Sequence, residues 1–314
     1  MNPGFATRFC RKCLYSSLSV EHMVRFAKMT YPEYDIYEST GYPNGHPIGA
    51  QDASDRIVAD MLQYGLYIDF VETLIKVESD GYMGRKFALR GLDGVIDDVL
   101  QAGYSFDSTT GQFFEDQSQQ ITRNWGRLIE GDERQMAVMR LDVVDNTKLV
   151  KENTKQLIDK TYGEFRDIVE GAVIGRLGRL WSWEGDGTLG AFMLGEYSRL
   201  AIFAGMEIIN RMYMFNKLRN PLNAPLKLRI AVHSGNFVYS DDEKECFKSD
   251  IIRKVKTLES KAAFPNSLVI SESLAMAQDQ AMLNIFSEPK VVPKLSEKFR
   301  MYQVSLERRF QARQ

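Results

Sequence analysis

Met139-Arg140-Leu141-Asp142-Val143-Val144-Asp145 and Leu180-Trp181-Ser182-Trp183-Glu184-Gly185-Asp186-Gly187-Thr188-Leu189-Gly190-Ala191-Phe192 are the two stretches whose reading decides the fold. The first is apolar enough for a buried strand, yet it abruptly carries a charge at Asp142. The second reads as two alternating strands joined at Asp186-Gly187, because Asp-Gly between alternating runs is a strong hairpin signal. A carboxylate inside a strand and another at a neighbouring hairpin tip suit a hard divalent cation. Mg²⁺ takes one or two carboxylates together with substrate phosphates. The pattern points to phosphoryl-transfer chemistry.

Outward from these stretches, the chain from Gln135 alternates strands and helices. Strands are expected at 136–144, in a hairpin at 179–193, at 226–232 with 237–239 returning beside it, at 267–270 and at 301–304. Helices are expected at 149–170, 197–218, 249–262 and 272–282. Strands separated by helices that can cover one sheet face argue an α+β or α/β sandwich. Met206, Met212, Met214 and Phe215 recur along 197–218 and read as core or dimer contacts rather than a cofactor site.

The part before this is mostly helical in pattern, with apolar faces over 52–64, 68–77 and 92–100 and a plausible N-cap at Asp52 or Ser54. Residues 31–49, rich in Tyr, Pro and Gly, read as loop. From 106 to 133 the composition turns polar, with Gln117-Ser118-Gln119-Gln120 in one cluster and Trp125 and Leu128 as apolar anchors. The expected organisation is a helical N-terminal regulatory domain over 1–110, a linker over 111–134 and a catalytic domain over 135–314.

The 314 residues are 44% hydrophobic and 26% charged, a normal globular balance, and the net charge of −2 gives no global basic field. Neither nucleic acid nor membrane is therefore an expected partner. No stretch approaches the roughly 20 apolar residues of a spanning helix, and the N-terminus lacks a signal-peptide core, so a cytoplasmic location is expected. Of three cysteines, Cys10 and Cys13 have ligand-like spacing, but no second Cys or His pair follows at zinc-site distance. His233 follows an apolar strand and reads as structural.

Four motifs in order over about 180 residues resemble the class III nucleotidyl cyclases, which make 3′,5′-cyclic nucleotides from nucleoside triphosphates. Leu141-Asp142-Val143-Val144-Asp145-Asn146-Thr147 is similar to the family's first metal-aspartate strand and turn, and Gly185-Asp186-Gly187 to its second metal-aspartate hairpin. Leu228-Arg229-Ile230-Ala231-Val232-His233-Ser234-Gly235 resembles the strand that follows. Asp250 to Ser260 falls where the family has its transition-state helix. The resemblance implies an α+β, ferredoxin-like cyclase domain with a small helical domain before it. It also implies two Mg²⁺ or Mn²⁺ ions held by Asp142, Asp186 and the Val143 carbonyl, and a head-to-tail homodimer in which a partner completes each site.

The turn from Val143 to Thr147 leads into a helix, so Asn146 and Thr147 are expected to meet phosphate oxygens, while Asp145 and Asn146 fit a helix cap better than a third ligand. Lys294, Lys298 and Arg300 lie where the family places a Lys toward the β- and γ-phosphates, and Lys298 is taken as the candidate. In the transition-state helix, alignment of Ile252, Val255 and Leu258 puts Arg253 in place of the family's Asn and Thr257 in place of its Arg. The purine-reading positions fall on Ser182 and Cys246, and neither purine pair is intact. That gap, the helical N-terminal domain, Arg179 to Gly187 and Asn124-Trp125-Gly126-Arg127-Leu128 resemble the Pycsar pyrimidine cyclases, bacterial anti-phage enzymes whose cyclic UMP or cyclic CMP acts on a separate effector. The resemblance implies UTP as the favoured substrate, with Ser182, Cys246 and Asn223 as pyrimidine-reading candidates. Cytidylate and adenylate cyclases, and a silent nucleotide-binding module of the same fold, remain as alternatives.

Overall fold

A computed structural model describes residues 6–108, 110–118, 121–291 and 297–304. The chain divides into two compact units, Met1–Arg127 and Leu128–Gln314.

The first unit is built on α1 (Arg8–Ser17), α2 (Val20–Thr30), α3 (Ile36–Thr40), α4 (Ala50–Gln63), α5 (Tyr67–Asp80) and α6 (Leu92–Gln101). Apolar residues at helical spacing, such as Ala53, Ile57, Val58 and Met61 of α4 and Ile68, Val71, Leu74 and Val77 of α5, turn inward to one core. Cys10 and Cys13 lie in that core, and burial, followed by Cys10's and Glu78's respective neighbouring charges among the causes, pushes both thiols up, Cys13 to about 12.

Several expected boundaries move. The 31–49 loop contains α3, because the Asp35 carboxylate accepts from the Tyr37 and Glu38 amides and starts a helical turn there. Gly49 rather than Asp52 or Ser54 is the N-cap of α4, with Asp52 in its first turn. The unit is not all helical, since β1 (Tyr104–Asp107) and β2 (Gln112–Glu115) pair antiparallel around Gly111 at φ 71°. The linker expected at 111–134 therefore begins inside a hairpin, and the division between units falls after Arg127.

The second unit starts with β3 (Glu133–Val143), followed by α7 (Asn146–Glu152), α8 (Lys155–Ile174), β4 (Arg179–Glu184), β5 (Gly187–Phe192), α9 (Tyr197–Leu218) and β6 (Leu228–Val238). β3 lies between β5 and β6, β4 pairs only β5, and all three pairings are antiparallel. This β-α-β-β-α-β order is the ferredoxin-like split βαβ arrangement. The unit continues with α10 (Glu243–Lys248), α11 (Asp250–Ala262), β7 (Ser267–Ser271), α12 (Glu272–Met276), α13 (Gln280–Leu283), β8 (Lys290–Val291) and β9 (Lys298–Gln303). β7 adds parallel to β6, and β9 and β8 complete a seven-stranded sheet.

Alternation along β3 sorts its side chains by face. Ala137, Met139, Leu141 and Val143 join Phe165, Ile168, Ile202 and Ile208 of α8 and α9 in the core. Arg140 and Asp142 therefore take the opposite face. α9 approaches closely at Gly205, where a Cβ would lie 2.9 Å from Leu268 Cδ1. Met212 and Phe215 are core residues, whereas Met214 is exposed.

Here too the structure refines the expectation. The helix read as 149–170 is two helices, because Thr154 caps a new one by accepting from the Leu157 amide. The helix read as 272–282 is likewise split, with Asp279 capping its second part. β6 is one continuous strand where a return at 237–239 was expected, since Ser234, Gly235 and Asn236 all pair with β3. Among the described residues, no helix is long and apolar enough to cross a membrane.

Candidate active site

The β4–β5 hairpin closes on the Glu184–Gly187 pair, so its central residues are Gly185 and Asp186 rather than Asp186 and Gly187. Gly185 takes φ 64° at the first central position, which suits glycine. Gly187 is the first strand residue, and a Cβ there would lie 2.9 Å from the Leu141 carbonyl oxygen. This close approach brings the hairpin tip beside the end of β3.

Asp142 and Asp186 consequently line one open cavity of about 670 Å³, together with Val143, Asp145, Asn146, Thr147, Lys148, Lys151, Glu152 and Arg229. Burial, and then the charge of Asp142, hold the Asp186 carboxyl above its ordinary range, against its own amide, Arg140 and Asn146. Asn146 also accepts from the Tyr162 hydroxyl at 2.6 Å. Burial, followed by the charges of Asp186 and Asp142, pushes that hydroxyl up to about 12. The Asn146 side chain is thus committed to the protein, while Thr147 is exposed at the rim. Asp145 occupies the N-cap position of α7 with φ 57°, but its side chain makes no capping bond.

Arg229 was not singled out as a site residue, yet it faces Asp142 directly across β3 and β6. Its Nη2 donates to Asp142 Oδ2 at 2.6 Å, and its Nε lies 2.7 Å from Glu259 Oε1 of α11. Burial alone would lower the Arg229 pKa, but the bond from Asp142 and the charge of Glu259 outweigh it. The signal in the sequence is a charge inside Leu228-Arg229-Ile230-Ala231-Val232, the same kind of interruption that marks Asp142.

Two facing carboxylates that oppose each other's ionisation fit a divalent cation, the more so where the cation can draw further oxygen ligands from a phosphate. Among the described residues there is no group of three or more His, Cys, Asp or Glu that could hold a metal alone.

The other predicted residues do not reach this cavity within one chain. Arg253 is 71% exposed on α11 and pairs only with Asp250 at 2.8 Å. Thr257 spends its hydroxyl on the Arg253 carbonyl at 2.8 Å. Ser182 sits just beyond a bulge at Trp181 in β4, and its buried Oγ has no hydrogen-bond partner among the described residues. Cys246 is buried in α10, its thiol 3.0 Å from the Ser240 carbonyl, and Asn223 is exposed.

Lys298 borders a separate cavity of about 390 Å³ with Glu297, His233, Lys254, Ser271, Glu272, Ser273 and Met276, while Lys294 lies outside the described residues.

His233 in that second cavity is buried, with Nδ1 2.9 Å from Ser271 Oγ. Burial, then the charge of Lys254, pulls it down to about 4 from 6.5. Between these values the unfolded chain binds a proton that the folded chain does not. The contribution of His233 to stability is thus complete above about pH 6.5 and is lost as pH falls toward 4, by up to about 3 kcal/mol. Urea unfolding from about pH 7.5 to 4.5 should show this slope in the wild type and a shallower one in His233→Gln. Equal slopes would refute it.

No sequence-family profile and no curated protein matches the chain. Solved structures do. An adenylyl cyclase from P. aeruginosa is 16% identical at a TM-score of 0.47, covering 59% of this chain and 100% of its own. An adenylate/guanylate cyclase/hydrolase from Silicibacter pomeroyi is 17% identical at 0.47, covering 56% and 100%. A guanylyl cyclase domain from the aquatic fungus Blastocladiella emersonii is 15% identical at 0.45, covering 55% and 97%. These TM-scores lie below 0.5, so the chemistry of the chain has to be argued from its own site.

Proposed function

We propose that the second unit is a nucleotidyl cyclase that converts a pyrimidine nucleoside triphosphate, UTP in preference, to 3′,5′-cyclic UMP and pyrophosphate. The observation that carries this reading is the convergence of Asp142 and Asp186, from a strand and a hairpin tip, on one polar cavity of nucleotide size. The ribose 3′-hydroxyl loses its proton and bonds to the α-phosphorus, while the bond to the pyrophosphate oxygen breaks. Mg²⁺ or Mn²⁺ bound there supplies a lowered pKa at the attacking hydroxyl and neutralisation of the leaving charge. Asp142, Asp186 and the Val143 carbonyl hold the ions. Lys148, Lys151 and Arg229 offset the triphosphate charge, and the turn at Asn146 and Thr147 borders it.

Arg253, Ser182 and Lys298 do not line the cavity of their own chain, which supports a head-to-tail homodimer in which the partner brings them to it. The exposed Arg253 is free to turn toward the α-phosphate and stabilise its charge. Ser182 stands where a purine-reading lysine is expected, and its unpartnered hydroxyl suits a small polar edge. A buried site without the partners for adenine makes ATP a poor substrate. The cyclic product would act on a separate effector in bacterial anti-phage signalling.

A second reading, a nucleotide-binding module without turnover, is favoured by Thr257, whose hydroxyl is turned back onto the backbone. Incubation of the protein with equal UTP, CTP, ATP and GTP plus Mn²⁺, with products separated by mass, decides between them. Cyclic UMP is the expected main product. A cyclic purine would overturn the base assignment, and bound nucleotide with no product would establish the silent module.

A further inference from the structure

Two ion-pair arms reach from one face of α11 to the elements that bear the carboxylates. Lys256 contacts Glu184 at 3.6 Å, and Glu184 contacts Arg140 of β3 at 3.2 Å. Three residues on, and so on the same helical face, Glu259 contacts Arg229, which holds Asp142. Glu259 is only 6% exposed although its neighbours Val255, Leu258 and Ala262 form an apolar packing face. A buried carboxylate is costly unless paired, and an apolar side chain here would pack without that cost.

The geometry of the second arm gives the charge a use. An arginine beside a lone carboxylate tends to bind both oxygens with a two-pronged fork. Here only Nη2 reaches Asp142, at Oδ2, and Nε is turned to Glu259 instead. We propose that Glu259 is a positioning residue for the cation site, holding the Arg229 guanidinium off the second oxygen of Asp142 and leaving that oxygen open to a divalent cation. The proposal rests on the reading of Asp142 and Asp186 as metal carboxylates. Without the Glu259 charge, Arg229 closes on both oxygens and competes with the ion.

The test is Mn²⁺ binding to the full chain, followed by the electron paramagnetic resonance signal of free Mn²⁺, with and without UTP. The wild type, Glu259→Gln, Arg229→Met and the double variant would be compared, with thermal unfolding to show that each is folded. Glu259→Gln keeps the side-chain shape and should bind Mn²⁺ about 10-fold more weakly, the usual size of an outer-shell effect. In the Arg229→Met background the same change should have no effect, because no guanidinium remains to collapse. A Glu259 that serves stability alone would lower the melting temperature and leave Mn²⁺ affinity unchanged, which would overturn the proposal. So would an equal loss in both backgrounds. Mn²⁺ binding by neither the wild type nor any variant would instead sink the metal reading of the site, a result distinct from a wild type that binds and a Glu259→Gln that binds equally well.

Discussion

Asp142→Asn is expected to abolish cyclic-nucleotide formation, by about 10³-fold or more, and to leave the chain folded. The asparagine has the same shape but no charge, so a cation at the site loses a ligand and the pyrophosphate loses several kcal/mol of stabilisation. Asp186→Asn should cost as much in rate. Their effects on stability should differ. Asp186 is held above the ordinary carboxylate range by burial and by Asp142. Neutralising it relieves a repulsion in the folded state, so Asp186→Asn should melt no lower than the wild type. Asp142 instead supports Arg229, and its loss removes one of that guanidinium's two anions. Mixing inactive Asp142→Asn with inactive Arg253→Ala should restore roughly a quarter of wild-type turnover, because about half of randomly formed two-fold dimers then hold one intact site. Full turnover by Asp142→Asn, or no recovery on mixing, would refute the two-chain site.

How much of this was legible depended on whether the cause was local. Asp142 was legible because a charge inside an apolar strand has few structural uses, and Gly185 and Asp186 because a tight hairpin needs special backbone geometry. The helix Tyr197–Leu218 was legible to the residue, since a long amphipathic repeat carries its own boundaries. Arg229 was missed because its meaning comes from Asp142 across the sheet, a pairing register that spacing alone does not show. Ser234, Gly235 and Asn236 looked like a break, yet β3 alongside supplies the ladder that weak strand formers lack. The hairpin at 104–115 was hidden for the same reason, its short strands holding each other. The bulge at Trp181 lets Leu180 and Trp183 pack on the same core despite their odd spacing, which defeats a simple alternation argument.

The largest effect on stability should come from Arg127, the last residue of the first unit. Its guanidinium donates to Asp69 at 2.7 Å, to Glu72 at 2.8 Å and to the Phe113 carbonyl at 2.7 Å, with a side chain only 7% exposed. Burial alone would lower its pKa, but Asp69 and then Glu72 outweigh that and hold it above the ordinary value. Glu72 stands the other way, since its burial exceeds what Arg127 returns and its carboxyl sits above the usual range. Glu72 also accepts from the Phe113 amide at 2.6 Å, so one cation joins α5 to β2 through both partners. Arg127→Ala strands two buried carboxylates together and should destabilise the first unit by about 3–5 kcal/mol. Because a two-unit chain need not unfold in one step, the loss is best read locally. Amide hydrogen exchange in α5 and β2 should accelerate by roughly 10²–10³-fold if these elements open with the unit as a whole. Arg127→Lys should fall between, since a lysine keeps the charge but not the fork that spans both carboxylates and a carbonyl. Unchanged protection of α5 and β2 in Arg127→Ala would mean that the triad adds nothing net to this unit, the outcome expected where desolvation cancels the attraction.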